Sequence, residues 1–207
     1  MQPEDLLHNV SRESIEKLEI YHKLLIKWQK AINLVSPKTL DEAWERHFLD
    51  SVQIAQYVSP SVKVVADIGS GGGFPGLVLA ILRPDLQVHL IESDGRKCQF
   101  LKAVSRETDT NVDVRATRIE YMDENFTPDC VTARALADLP TLLSFCMPWA
   151  ERNADLEAVL MKGAKAQEEL STAQALYEFE HEIHTSVTDP QGRVLYIHKM
   201  SPKLRTA

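Results

Sequence analysis

Glycines are concentrated in one short stretch that has the composition of a nucleotide-binding loop. Five of the eight glycines in the 207-residue sequence lie between Gly69 and Gly76. Backbone N–H groups converge in such a loop, and glycine lets a ligand approach the main chain closely. An apolar run at 62–68 predicts a buried strand before the loop, and Pro75 lies where a helix would begin. The sequence therefore predicts a ligand site between a strand and a helix.

Several ligand classes can be compared for this loop. A P-loop is excluded, because Leu77 lies where that loop requires a lysine. A dinucleotide site has the G-x-G-x-x-G spacing from Gly71 to Gly76 in its favour. The run from Asp67 to Gly71 also matches D-x-G-x-G, the first motif of class I methyltransferases, whose cofactor S-adenosylmethionine (SAM) carries two cationic groups that suit a nearby acidic residue. In that interpretation Glu92, at the end of the next predicted strand, accepts hydrogen bonds from the ribose hydroxyls. A glycine-rich turn without a ligand is the remaining alternative.

Two regions position the loop. In the first, residues 1–60, apolar residues recur every three or four positions from Ile15 to Val35, which predicts one long amphipathic helix that ends at Ser36 and Pro37. Thr39 and Glu42 then predict a capping box for a second helix. The expected domain organisation is a helical extension over 1–60, packed on a Rossmann-like domain over 61–207.

The second region alternates short apolar strands with helical patterns, which predicts a doubly wound, mostly parallel α/β sheet. A turn of composition D-P-Q-G at 189–192 predicts a terminal antiparallel hairpin. The predicted strands are 62–68, 88–91, 112–116, 130–135 and 156–161, with hairpin strands over 180–187 and 193–200. The predicted helices are 75–82, 96–108, one that ends near 149, and 165–178.

Composition and charge exclude some classes of protein. The formal net charge of −7 excludes a strongly basic protein that binds nucleic acid without specificity. No run approaches 18 apolar residues, so no membrane span is expected, and the first residues lack the pattern of a secretory signal. Three cysteines without C-x-x-C spacing predict neither a disulfide framework nor a zinc site; we expect small buried side chains in a reducing cytosol.

Further motifs are spread along the sequence. They are W-Q-K-A-I-N-L-V-S (28–36), R-H-F-L-D-S (46–51), D-I-G-S-G-G-G-F-P-G (67–76), E-S-D-G-R-K (92–97) with F-L (100–101), R-I-E (118–120), T-A-R-A (132–135) and M-K-G (161–163). With these motifs the sequence resembles the glucose-inhibited division protein B family, also called RsmG, over nearly its whole length. Two departures are mild: Gly72 lies where the family often has proline or alanine, and Glu92 where aspartate is frequent. The first is expected to loosen the loop, and the second to shift the reach of the carboxylate.

The resemblance implies a bacterial, cytoplasmic, SAM-dependent methyltransferase with a Rossmann-like fold. Its implied target is N7 of a guanine in 16S ribosomal RNA within the small ribosomal subunit (guanine 527, in the 530 loop). We expect a monomer without a metal, DNA or membrane partner. The resemblance assigns Glu92 to the ribose, the turn after the third strand to the adenine end, and Arg134 to the cofactor or target pocket. The residues implied in cofactor binding are Gly69, Gly71, Phe74, Glu92, Ile119, Glu120 and Arg134.

Some of these residues also have simpler interpretations. Arg134 could be a surface cation, and Glu120 could cap a turn. His47 lies on an apolar helix face, where a core histidine is as plausible as an RNA contact. Arg46 and Asp50 are four residues apart and could pair with each other. Lys162, which ends the fifth predicted strand, could face RNA or solvent.

Guanine N7 carries an in-plane lone pair and no proton, so this chemistry predicts no general base and no catalytic residue is assigned. Methylation of cytosine C5 would require a cysteine nucleophile, and Cys130 begins a predicted strand. Because N7 lies on the major-groove edge, which A-form RNA makes inaccessible, the target base must be unpaired or flipped out. The alternatives are a methyltransferase acting on another RNA or small molecule, and a non-catalytic nucleotide-binding interaction protein.

Overall fold

The N-terminal region begins with helical segments that pack on the rest of the chain. A computed structural model describes residues 3–203. A 3-10 turn, Pro3–Leu7, precedes helix α1, Arg12–Gln29. The Ser11 hydroxyl accepts a hydrogen bond from the Ser14 N–H at 3.0 Å and so caps α1. The buried face of α1 consists of Leu18, Tyr21 and Leu25.

Helix α1 ends at Gln29, about six residues before the predicted end, although the apolar spacing continues to Val35. The Gln29 side chain accepts hydrogen bonds from the N–H groups of Leu34 and Val35, at 2.9 and 3.1 Å, and donates one to the Val35 carbonyl. These three bonds stabilise a turn that reverses the chain. Residues 33–36 therefore form a loop beside the glycine stretch.

The second predicted helix is a succession of short turns, and the predicted capping box is wrong. The turns are a 3-10 turn Pro37–Thr39, a π-helical turn Trp44–Leu49, a single α-helical turn α2, Asp50–Val52, and a 3-10 turn Gln53–Tyr57. The Thr39 hydroxyl donates to the Ser36 carbonyl at 2.9 Å and lies 2.8 Å from His47 Nε2. The Thr39 hydroxyl therefore does not accept the backbone N–H of Glu42, as the predicted capping box would require.

The residues from 64 onward form a seven-stranded sheet and the helices that pack on it. With the strands numbered in chain order as given below, the sheet order is β3-β2-β1-β4-β5-β7-β6; β1 to β5 are parallel, and β7 is antiparallel to β5 and β6. The predicted doubly wound α/β fold with a terminal hairpin is confirmed. The strands are β1 Val64–Ile68, β2 Gln87–Glu92, β3 Asp113–Ala116, β4 Cys130–Arg134, β5 Glu157–Lys162, β6 Tyr177–Thr185 and β7 Arg193–Pro202. The helices are α3 Gly76–Leu82, α4 Gly95–Glu107, α5 Leu139–Ala150 and α6 Ala166–Leu176.

Alternating side chains of the strands divide the core into two layers. Val65 of β1 packs in one cluster with Tyr21 of α1 and Phe100 of α4, whereas its neighbour Ala66 packs in another with Leu143 of α5. The N-terminal region thus shares a core with one face of the sheet. The strand order reverses between β1 and β4, and such a switch point opens a crevice at the carboxyl ends of the strands.

Candidate functional site

A cavity of about 1230 Å³ lies at this switch point. Its walls come from the carboxyl ends of β1, β2, β4 and β5, from the loop at 33–39, and from the residues that connect the strands of the hairpin. All seven residues implied in cofactor binding line it: Gly69, Gly71, Phe74, Glu92, Ile119, Glu120 and Arg134. The volume exceeds the roughly 300–1,000 Å³ of common small-molecule pockets, so the cavity has room for a cofactor and a second reactant.

The glycine loop requires glycine for its backbone path. Gly69 has a φ of +64°, in the left-handed region, and a Cβ there would lie 2.5 Å from Leu136 Cδ1. Helix α1 supports the loop, because the Tyr21 hydroxyl donates a hydrogen bond to the Gly72 carbonyl. The N-terminal region therefore helps to shape the loop that would meet a cofactor.

Glu92, at the end of β2, lies against the glycine loop and lines the cavity beside it. Its Oε2 accepts a hydrogen bond from the Gly71 N–H at 2.8 Å, and its Oε1 accepts one from the Asp94 N–H at 2.8 Å. A carboxylate offers about four lone-pair positions, so two remain for vicinal hydroxyls. The fixed carboxylate beside bare glycine backbone fits the ribose and methionine parts of SAM.

Asp67 does not lie where the interpretation of an acidic residue near the cofactor cations would place it. Its side chain is fully buried beneath the loop, against Gly76, and it does not line the cavity. Burial raises the pKa of Asp67 to about 6, although a 2.8 Å hydrogen bond from the Thr132 hydroxyl opposes the shift. The residue supports the loop from within the core.

Arg134 ends β4 and is mostly buried, so it is not a surface cation. Its guanidinium lies 4.8 Å from the centre of the Phe74 ring, and Nη1 donates to the Arg46 carbonyl at 3.1 Å. Nη1 also lies 3.6 Å from Asp50 Oδ2. The Phe74 ring is itself buried and stacks on Tyr21, so it presents Arg134 to the cavity.

The alternative in which Arg46 and Asp50 pair with each other is wrong. Arg46 instead pairs with Asp189 across a gap of 3.5 Å, while Asp50 faces Arg134. Asp50 Oδ1 also accepts hydrogen bonds from the hydroxyls of Ser186 and Thr188, at 3.0 and 2.7 Å. These contacts fasten the N-terminal region to the turn of the C-terminal hairpin.

His47 lines the same wall and is neutral at physiological pH. Burial, with the nearby positive charges of Arg134 and Arg46, lowers its pKa to about 3. Ile119 and Glu120 lie in a 3-10 turn after β3, where Ile119 is half-buried and Glu120 exposed. The Glu120 carboxylate accepts no hydrogen bond from any residue in the range 3–203, so the structure does not bear out a capping role for it.

Three residues that line the cavity have no signal in the sequence patterns. Leu136 and Phe145 add apolar surface, and Glu169 adds a carboxylate beside Lys162. Each comes from a helix or connection that has no motif of its own, so the spacing of residues carried no signal for them.

The comparisons with known proteins decide the family. The family model described as "rRNA small subunit methyltransferase G" matches residues 14–196. The chain belongs to this family. Curated proteins named "Ribosomal RNA small subunit methyltransferase G" include one from Paramagnetospirillum magneticum, 45% identical over 97% of both chains. Another, from Rhodospirillum rubrum, is 44% identical over 91% of this chain and 92% of its own.

Solved structures confirm that this chain has the class I methyltransferase fold. The O-methyltransferase TomG from Streptomyces achromogenes, in complex with SAM, superposes with a TM-score of 0.58 at 13% identity, over 93% of this chain and 92% of that one. TYW2 from M. jannaschii, in complex with AdoMet, superposes with a TM-score of 0.55 at 16% identity, over 84% and 80%.

The family is SAM-dependent, and the cavity offers SAM a glycine loop and the fixed Glu92 carboxylate.

Across the part of the chain that the structure describes, no cluster of three or more histidine, cysteine, aspartate or glutamate side chains is arranged to hold a metal. None of the helices between residues 3 and 203 is long and apolar enough to cross a membrane.

Proposed function

We propose that this protein transfers a methyl group from SAM to N7 of a guanine in 16S ribosomal RNA, within the small ribosomal subunit of a bacterial cytoplasm. The observation that carries the proposal is one cavity with two halves. The half at β1 and β2 has the glycine loop and Glu92, and the half at β4 and β5 is open to a second reactant. Family membership supports ribosomal RNA as that reactant.

The chain's own residues would hold the cofactor along the first half and, through Arg134 at the end of β4, at its border with the second half. Gly69 and Gly71 present bare backbone, and the Glu92 carboxylate, already held by two N–H groups, accepts the ribose hydroxyls. Ile119 and Glu120 flank the adenine end, beyond β3. Arg134, fixed over Phe74, supplies a positive charge for the carboxylate of the methionine part. These residues orient the cofactor and exclude water from it, and none of them has to move a proton.

When bound, SAM supplies an electrophilic methyl group that the unprotonated N7 of guanine can take without prior loss of a proton. A positioned pair of reactants is then sufficient for catalysis. The cysteines do not offer a nucleophile for another reaction, because all three are buried and none lines the cavity. Burial raises the pKa of Cys146 to about 12 and that of Cys130 well above its usual range.

Local charge supports an RNA substrate in spite of the acidic composition. The cavity is lined by seven basic residues against five acidic ones, whereas the whole chain has a net charge of −7. The basic residues are Arg46, Lys97, Arg118, Arg134, Lys162, Lys165 and Arg193. Because few phosphates can be neutralised elsewhere, the protein is expected to recognise a structured ribonucleoprotein rather than naked RNA.

The proposal is tested with tritiated SAM and small subunits that lack the modification. The protein should label 16S RNA at a single guanine, which borohydride and aniline cleavage then locates as 7-methylguanine. Subunits that already carry the modification are the matched control and should take up no label. Absence of label from free RNA, assembly intermediates and mature subunits alike would refute the proposal.

A further inference from the structure

An ion pair with unused hydrogen-bonding capacity lies in the half of the cavity away from the glycine loop. Lys162 ends β5, and Glu169 lies in the first turns of α6; Lys162 Nζ is 2.7 Å from Glu169 Oε2. Only 8% of the Lys162 side chain and 20% of the Glu169 side chain are exposed. Both residues line the cavity.

The neighbouring backbone fixes the geometry of this pair. Lys162 Nζ donates to the Ala137 carbonyl at 2.6 Å, and Glu169 Oε2 accepts from the Leu139 N–H at 2.8 Å. Both backbone groups belong to the segment that leads from β4 into α5. The ammonium is therefore held beside Ala137 and the carboxylate beside Leu139, so their relative positions at the ends of β4 and β5 are fixed.

Each partner retains hydrogen-bonding capacity that no residue within 3–203 uses. An ammonium has three donors, and two are accounted for by Ala137 and Glu169, so one N–H remains. Glu169 Oε1 accepts no hydrogen bond within residues 3–203, and it is not among the buried atoms without a partner, so it is open to the cavity. A donor and an acceptor thus lie side by side in a half-enclosed pocket.

Apolar side chains complete the surroundings that a flat base requires. Leu136 is 38% exposed, although it is apolar, and Phe145 is half-buried; both line the cavity with the ion pair. Pockets for small planar groups combine apolar walls with a few polar atoms that determine orientation. Flipped bases are recognised by stacking on such walls and by hydrogen bonds to their Watson–Crick edge.

We propose that Lys162 and Glu169 read the Watson–Crick edge of the target guanine, with Nζ donating to O6 and Oε1 accepting from N1–H. Guanine presents an acceptor beside a donor at these two positions, and adenine presents the reverse order, so the pair selects guanine. N7 adjoins O6 on the neighbouring edge of the base, and neither member of the pair contacts it, so N7 stays free to take the methyl group. This inference rests on the proposed function, which supplies the guanine substrate.

The test compares Glu169→Gln with Glu168→Gln on unmodified small subunits. The amide retains an oxygen for the Leu139 N–H but presents an N–H₂ donor where the carboxylate accepted. Glu168 is exposed on the same helix and does not line the cavity, so it is the matched control. We expect kcat/KM to fall roughly 10- to 100-fold for Glu169→Gln and less than twofold for Glu168→Gln. The affinity for SAM should remain that of the unchanged protein, whereas loss of the charge beside Lys162 should lower the melting temperature by roughly 2–8 °C.

A second measurement separates recognition from a structural role. On subunits reconstituted with adenine at the target position, the preference for guanine over adenine should be at least tenfold lower in Glu169→Gln than in the unchanged protein. An unchanged preference, activity within twofold of the unchanged protein, or a parallel loss of SAM affinity would each overturn the inference. If the unchanged protein itself labels no guanine, the proposed function falls and this inference with it.

Discussion

Asp50 connects three distant parts of the chain, and replacing it should both loosen the fold and release Arg134. Its Oδ1 accepts hydrogen bonds from Gln53, Ser186 and Thr188 at 2.7 to 3.0 Å, and its Oδ2 faces Arg134 at 3.6 Å. Removing one member of a buried charge pair costs about 3–5 kcal/mol. The Asp50 side chain is 17% exposed. Water can therefore replace part of the loss, and Asp50→Ala should lower the free energy of unfolding by about 2–4 kcal/mol.

For a chain of this length each kcal/mol corresponds to about 2–4 °C, so the melting temperature of Asp50→Ala should fall by roughly 4–16 °C. Asp50→Asn retains an acceptor oxygen and loses only the charge, so its loss should be smaller, about 1–2 kcal/mol. Differential scanning calorimetry measures both, and titration calorimetry with SAM reports the effect on Arg134. Glu45→Ala, at an exposed position in the same region, is the control and should change stability by less than about 0.5 kcal/mol. An Asp50→Ala protein as stable as this control would refute the reasoning.

Three further predictions concern the cofactor half of the cavity, the core and the substrate. Glu92→Gln should weaken SAM binding roughly 10- to 100-fold by calorimetry, because one of its oxygens becomes a donor; unchanged affinity would remove Glu92 from the cofactor site. Burial raises the folded-state pKa of Asp67 to about 6 from 3.8, so the carboxyl destabilises the fold as the pH rises through this interval. The stability of Asp67→Asn relative to the unchanged protein should therefore increase by up to about 3 kcal/mol between pH 4 and pH 7 in denaturant titrations, and a constant difference would contradict the shift. Naked 16S RNA should bind much more weakly than small subunits in filter-binding assays at physiological salt; equal affinities would contradict the argument from charge.

The parallel strands and the glycine loop were predictable because their signals are local. Apolar runs of strand length, each followed by a helical pattern, placed the observed strands to within about three residues. The end of α1 was not predictable in this way. The apolar spacing continues to Val35, but hydrogen bonds from the Leu34 and Val35 N–H groups to the Gln29 side chain stabilise a reverse turn there instead of a further helical turn. A periodic pattern records which residues are apolar and contains no information about such a bond.

The pairing of charges was also beyond local patterns. A spacing of four suggested that Arg46 and Asp50 pair with each other, whereas their partners are Asp189 and Arg134, far along the chain. The position of Glu169 beside Lys162 likewise follows from the neighbouring ends of β5 and α6. Family resemblance supplied the residues of the cofactor half and also Lys162, but Leu136, Phe145 and Glu169 in the other half required the structure.

The bonds from Asp50 to Ser186 and Thr188 have a consequence for the order in which the molecule is made. These partners are separated by 136 and 138 residues, and a ribosome releases the N-terminal region first. The parallel strands that carry the glycine loop can therefore pair while Arg134 still lacks the fastening that orients it. The wall that holds Arg134 closes only when the hairpin turn has left the exit tunnel, so a nascent chain would pair its parallel strands before it acquires a complete site.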